Sequence, residues 1–183
     1  MRTFTPHLYH QGLPLQSLRF IGEEKHLHIA PVIPTGIAQL DAALGIGGLP
    51  SGRLVEIFGP PGCGKTTLAL SIMKNAQHLN HGVCYIDCDH TLYHRHALQI
   101  GLKASETPIV NPAPNTCIRN LLMRLLELMT PKLIVVDSST TNVIFHPEIS
   151  TSFFATRKCP QQELLQLAHA CAQRGTSIIF VLP

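Results

Sequence analysis

Nine residues, Gly59-Pro60-Pro61-Gly62-Cys63-Gly64-Lys65-Thr66-Thr67, constrain this chain more than any other stretch. The run before them, Leu54-Val55-Glu56-Ile57-Phe58, reads as a buried strand. After them Leu68, Ile72, Ala76 and Leu79 recur every three to four residues, the spacing of one helix face. Three glycines between a strand and a helix let the backbone curl until its N–H groups point inward, which makes a nest for an anion. A helix beginning near Lys65 adds the positive end of its dipole to the same place.

The spacing Gly59-x-x-x-x-Gly64-Lys65-Thr66 is the P-loop pattern. It predicts that Gly59, Pro60, Pro61, Gly62, Cys63, Gly64, Lys65, Thr66 and Thr67 together grip the phosphates of ATP. Lys65 carries its ammonium toward the β- and γ-phosphates. Thr66 offers a hydroxyl to Mg²⁺, which prefers oxygen ligands and keeps several waters. A second ligand is predicted from Leu133-Ile134-Val135-Val136-Asp137, four apolar residues followed by a carboxylate. In an open α/β sheet, ligands bind beyond the carboxyl ends of the strands, so Asp137 is placed to hold the Mg²⁺ through water.

The rest of the chain supports this architecture. Residues 1–30 read as an irregular segment, and order begins near Pro34-Thr35-Gly36. Thr35 is expected to cap a short helix with Ile37, Leu40 and Ala43 on its apolar side, followed by a turn at Gly45, Gly47, Gly48 and Pro50. Val83–Asp87 reads as a strand, and Thr107–Val110 as a short edge strand because of its proline. Ile118, Leu121, Leu122, Leu125 and Met129 form a helical stripe that Pro131 stops. A last helix after Pro160 shows Leu164, Leu167, Ala168 and Cys171 on one side, before a strand from Ser177 to Leu182. Continuous apolar strands alternating with helices imply an α/β fold, a mostly parallel sheet with helices on both faces.

Composition narrows the function classes. Net charge is +3 and charged residues are 14%, too few to argue for nucleic acid by charge alone. The 6 cysteines make no Cys-x-x-Cys pair, which argues against a zinc knuckle and for reduced thiols. Of the 11 histidines, His26/His28 and His94/His96 are two apart, and no motif joins either pair to a third ligand. No apolar run approaches the roughly 20 residues that cross a bilayer. The expectation is a cytoplasmic protein with no membrane partner.

From Pro34 onward the sequence resembles bacterial RecA recombinase. The resemblance rests on Pro34-Thr35-Gly36, Leu40-Asp41, Ala43-Leu44-Gly45-Ile46-Gly47-Gly48-Leu49-Pro50 and Gly52-Arg53-Leu54-Val55-Glu56-Ile57-Phe58-Gly59-Pro60 in succession. Ile86-Asp87-Cys88-Asp89-His90, Ile134-Val135-Val136-Asp137-Ser138 and Ser177-Ile178-Ile179-Phe180-Val181 continue it. The resemblance implies a RecA-like P-loop NTPase core over 31–183 and ATP-dependent handling of single-stranded DNA in recombination or repair. By position it places Tyr93 and His96 at the adenine and Asp89 where the family has its catalytic Glu. It also implies that the last strand lies between those of the P-loop and Asp137.

The departures carry expectations of their own. Asp89 can still orient a water, but its carboxylate sits one methylene short, and a displacement of about 1 Å costs on the order of 100-fold in rate. Leu182-Pro183 stands where the resemblance places a γ-phosphate-sensing Gln, and proline offers neither a side-chain amide nor an N–H. The family's C-terminal half, with its second DNA loop and interface cations, has no counterpart in these residues, nor does its long N-terminal helix. Filaments of the family's kind are therefore not expected. In the first DNA loop, Phe153, Phe154, Arg157 and Lys158 combine aromatics and cations able to stack on and neutralise a single strand, the competing reading being packed rings and solvated charges.

Two functions follow. One is a RecA-like ATP-binding protein of DNA recombination or repair, a DNA-stimulated ATPase with weakened catalysis by Lys65 and Asp89. The alternative is a non-catalytic, nucleotide-dependent regulatory module for a recombinase or damage-response partner. By the resemblance, the strands that would flank Leu54–Phe58 on its outer side belong to the family's C-terminal half, so that edge is expected to be open to self-association or to another RecA-like protein unless residues 1–30 or a partner covers it.

Overall fold

The computed structural model describes residues 31–114, 116–138 and 160–183. In chain order these form β1 (Val32–Ile33), α1 (Ala38–Ala43), β2 (Leu49–Pro50), β3 (Leu54–Phe58), α2 (Lys65–His78) and β4 (Val83–Asp87). There follow α3 (His94–Ile100), a 3₁₀ turn (Ala104–Glu106), β5 (Ile109–Val110), α4 (Ile118–Leu128), β6 (Leu133–Asp137), α5 (Pro160–Arg174) and β7 (Ser177–Leu182).

Five strands make one parallel sheet in the order β3-β7-β6-β4-β5. The last strand does lie between the P-loop strand and the strand of Asp137. Alternation along each strand explains the unbroken apolar runs. Val83, Tyr85, Leu133, Val135, Ile179 and Val181 face a core closed by Ala69, Leu70, Ile72, Met73 and Ala76 of α2 and Ala97 of α3. Cys84, Ile86, Ile134, Val136, Ile178 and Phe180 face the opposite core, closed by Ile118, Leu122, Leu125 and Leu126 of α4 and Leu167 and Cys171 of α5. Both faces of the central strands are apolar because both are covered. The fold is the expected α/β RecA-like core.

Several local expectations are corrected. Strand β3 is not buried: it is an edge strand, Glu56 is exposed, and Phe58 is 77% exposed. A position at the edge leaves one flank of its side chains unopposed. Thr35 does not cap α1; the N-cap is Ile37 and carries no side-chain cap bond. The Thr35 hydroxyl instead accepts from Ile37 N at 3.2 Å and donates to Asp41 Oδ1 at 2.7 Å, while Thr35 N donates to the same oxygen at 2.9 Å. This ties the start of α1 to its own first turn.

Leu79, Met129 and Leu164 are exposed rather than packed, the first two because each stands as the C-cap where its helix has ended. The turn read at Gly45–Pro50 leads into β2, which pairs antiparallel with β1. Gly48 is required there, since a β-carbon would meet the Ile33 carbonyl at 2.5 Å. Tyr93 is the N-cap of α3 and His96 lies in its first turn, a helix that the sequence-based expectations do not include. The irregular segment 1–30 and the candidate DNA residues Phe153, Phe154, Arg157 and Lys158 lie outside the described residues.

Candidate phosphate and metal site

The loop between β3 and α2 is built from its glycines. Gly64 stands at the N-cap of α2 with φ of 93°, a left-handed conformation that a side chain disfavours. Cys63 N donates to Pro60 O at 3.3 Å, which closes the turn, and Leu68 N donates to Gly64 O at 2.8 Å, the first bond of the helix. No side-chain bond caps α2, and the loop residues Pro60–Gly64 are exposed. The first-turn amides thus face the loop with the positive end of a 14-residue helix behind them.

Each side chain of the loop's end has a defined place. The Lys65 ammonium folds over the loop and donates to Gly59 O at 2.6 Å and Pro60 O at 3.1 Å. The Thr66 hydroxyl donates to Asp137 Oδ2 at 2.8 Å, so the two oxygens expected to serve Mg²⁺ are adjacent. The Thr67 hydroxyl lies 3.1 Å from His96 Nε2. Tyr93, at the N-cap of α3, is 63% exposed, one turn from His96. Helix α3 therefore brings His96 to the end of the loop, with Tyr93 exposed at the start of the same helix.

Below the loop, the carboxyl ends of β4 and β6 carry the acidic groups. Asp87 and Asp137 are direct neighbours in register. Asp87 is buried and accepts from Thr91 N at 3.1 Å and Leu92 N at 2.9 Å, which makes it the anchor of the turn toward α3. Asp89 is half-buried just beyond β4. The Cys88 thiol between them is pushed up to about 12, by burial first and then by the charges of Asp89, Asp87 and Asp137. That local excess of negative charge suits a cation.

Among the described residues no three His, Cys, Asp or Glu side chains converge on a position for a metal ion. Oxygen donors from one hydroxyl and one carboxylate suit a hard ion that takes its other ligands from phosphate and water. Thr66 and Asp137 fit Mg²⁺ in that sense.

Sequence reasoning missed Tyr85. Its hydroxyl donates to Asp137 Oδ2 at 2.6 Å, and its ring is 1% exposed. Burial raises its pKa first, the hydrogen bond to Asp137 adds to the rise, and the phenol stays protonated. A period-two reading of Val83, Tyr85 and Asp87 places all three on one face; only the register with β6 shows what the hydroxyl meets.

The family model of the RecA N-terminal domain matches residues 11–181. The chain belongs to the RecA family. It is 37% identical over 154 residues to the protein RecA of Bifidobacterium breve, covering 82% of this chain and 39% of that protein. It is 33% identical over 169 residues to the protein RecA of Syntrophus aciditrophicus (strain SB), covering 90% of this chain and 49% of that protein. Against the protein RecA of Nitratidesulfovibrio vulgaris the figures are 38% over 130 residues, 71% and 35%. The chain thus spans no more than about half the length of these RecA proteins. Among the described residues no helix is long and apolar enough to cross a membrane.

Proposed function

We propose that this chain is a RecA-like ATP- and Mg²⁺-binding protein of DNA recombination or repair, a DNA-stimulated ATPase with weakened catalysis. The observation that carries the reading is the meeting of Thr66 and Asp137 at 2.8 Å beneath a glycine loop that opens α2. In this reading the backbone amides of Gly62–Thr67 donate to phosphate oxygens. Lys65 leaves the two loop carbonyls and donates to the β- and γ-phosphates. Thr66 and Asp137 hold Mg²⁺, which supplies neutralisation of the developing phosphate charge. Tyr93 and His96 flank the adenine. Asp89 orients the attacking water; its oxygen bonds to the γ-phosphorus as the bond to the ADP oxygen breaks.

A nucleotide-dependent regulatory module is the second reading. It is favoured by the exposed edge of β3, where Phe58 stands 77% exposed, as a place for a second copy or another RecA-like protein.

Titration of ATP with Mg²⁺ into the wild type and Lys65→Ala, with and without a single-stranded oligonucleotide, tests both. The first reading expects affinity that Lys65→Ala loses and hydrolysis that the oligonucleotide raises. Binding without turnover, indifferent to DNA, would favour the second. No affinity of folded wild type for adenine nucleotide with Mg²⁺ would overturn both.

A further inference from the structure

We propose that Tyr85 is a positioning residue for metal binding: its phenolic O–H locks the Asp137 carboxylate in the one orientation that serves a nucleotide-bound divalent cation. The proposal rests on the reading above that Thr66 and Asp137 hold such a cation.

Two donors from different elements fall on one oxygen. Asp137 Oδ2 accepts from Tyr85 at 2.6 Å and from Thr66 at 2.8 Å. Thr66 belongs to the phosphate loop and is half-buried. Tyr85 belongs to β4, the strand beside β6, and its partner in register is Val135, two residues before Asp137. Its ring packs beneath α2 in the core of Leu70, Met73 and Val135. The ring is thus fixed by packing, and the hydroxyl is delivered to the carboxylate by the core itself.

The hydrogen-bonding capacities are compatible with a cation. A hydroxyl has one proton to donate and two lone pairs. Thr66 can give its proton to Asp137 and a lone pair to a metal at once. Tyr85 gives its only proton to the carboxylate and so holds it from below whatever happens at the loop. An apolar ring would fill the same core space. The hydroxyl in such a place needs a partner, because a buried one without it is costly. Its partner is the group on which the metal site depends, and outer partners of this kind tune metal affinity by about 10- to 100-fold.

The test is a split between nucleotide and metal. ATP binding to wild type and Tyr85→Phe is measured by calorimetry in EDTA, then as a function of added Mg²⁺ and Mn²⁺. The expected result is equal affinity in EDTA and an Mg²⁺ requirement raised about 10-fold or more in Tyr85→Phe. An unchanged Mg²⁺ requirement would overturn the proposal, as would an equal loss with and without metal, the mark of a merely structural hydroxyl. Wild type that binds ATP with no gain from metal would instead overturn the metal reading of Thr66 and Asp137, and this proposal with it.

Should Tyr85→Phe fail to fold, the same question is put to the native residue. The protein is labelled with 3-fluorotyrosine at its 3 tyrosines. Tyr9→Phe and Tyr93→Phe assign two fluorine resonances, and the third is Tyr85. That resonance is expected to move when Mg²⁺ is added to the ATP-bound protein. A resonance unmoved at saturating Mg²⁺ would overturn the proposal.

Discussion

Thr66 and Asp137 are 71 residues apart in the chain and their side-chain oxygens are 2.8 Å apart. The pairing exists because β3 and β6 both flank β7, so the loop after one strand and the last residue of the other end at the same edge. Asp137→Asn keeps the shape and removes the charge. It is expected to leave ATP affinity in EDTA near wild type and to abolish most of the gain from Mg²⁺, read by calorimetry at fixed ATP. A full metal-dependent gain in the variant would remove Asp137 from the site.

Lys65→Ala is expected to weaken ATP binding by about 10- to 100-fold, the size of a lost charge-assisted hydrogen bond of about 1.5–3 kcal/mol. Stability should change little, since the ammonium's bond to Pro60 O is exposed and its bond to Gly59 O only partly buried. A thermal melt beside the titration separates the two effects.

His96→Ala distinguishes the base from the phosphates. The ring reaches only Thr67 of the loop, at 3.1 Å, from a partly exposed place on α3. The expected outcome is a several-fold loss for ATP, about 1 kcal/mol of ring contact, and almost none for inorganic tripolyphosphate. Equal losses for both ligands would place His96 on the phosphates.

Cys63 lies exposed within the loop, whereas Cys84 and Cys171 are buried and their thiols are pushed up to about 11 by that burial. At pH 8, iodoacetamide should alkylate Cys63 well before those two, and ATP with Mg²⁺ should slow it. Peptide mapping by mass spectrometry reads the order. Modification of Cys63 unaffected by nucleotide would contradict phosphate binding at this loop.

Asp41 gives a pH prediction. The Thr35 hydroxyl, then the Thr35 amide, hold its carboxyl below the ordinary value of 3.8. A folded pKa lowered in this way contributes stability that is complete above the unfolded value and lost as pH falls through the folded one. The gap in melting temperature between wild type and Asp41→Asn should therefore be constant at neutral pH and close below pH 3.8. A gap that persists under strong acid would mean the contact does not depend on the charge.

Much of this was legible in the chain itself. The bounds of β3, β4, β6 and β7 followed from apolar runs, and α2 from its stripe, because period alone carries that information. The positions of the glycine loop and of Asp137 were legible for the same reason: each stands at the end of such a strand. What was not legible depends on neighbours. Phe58 looked like core because its run is mostly apolar; its exposure follows from the edge position, which the resemblance implied and the run itself did not. Helix α3 carries no apolar stripe that would announce it, and only Ala97 of that helix is buried. Tyr85 looked like any strand aromatic, and its hydroxyl acquires meaning only when β6 is set beside β4.

The neighbour of β3 bears on how the chain is made. Leu54–Phe58 pair with Ile178–Leu182 and, among the described residues, with no other strand. Closing a loop of more than a hundred residues is slow and must come before the contact rewards it. A ribosome therefore releases the phosphate loop long before it releases the strand that pins it. Until Leu182 has emerged, a nascent chain has its glycines and its lysine but no platform to hold them against Asp137.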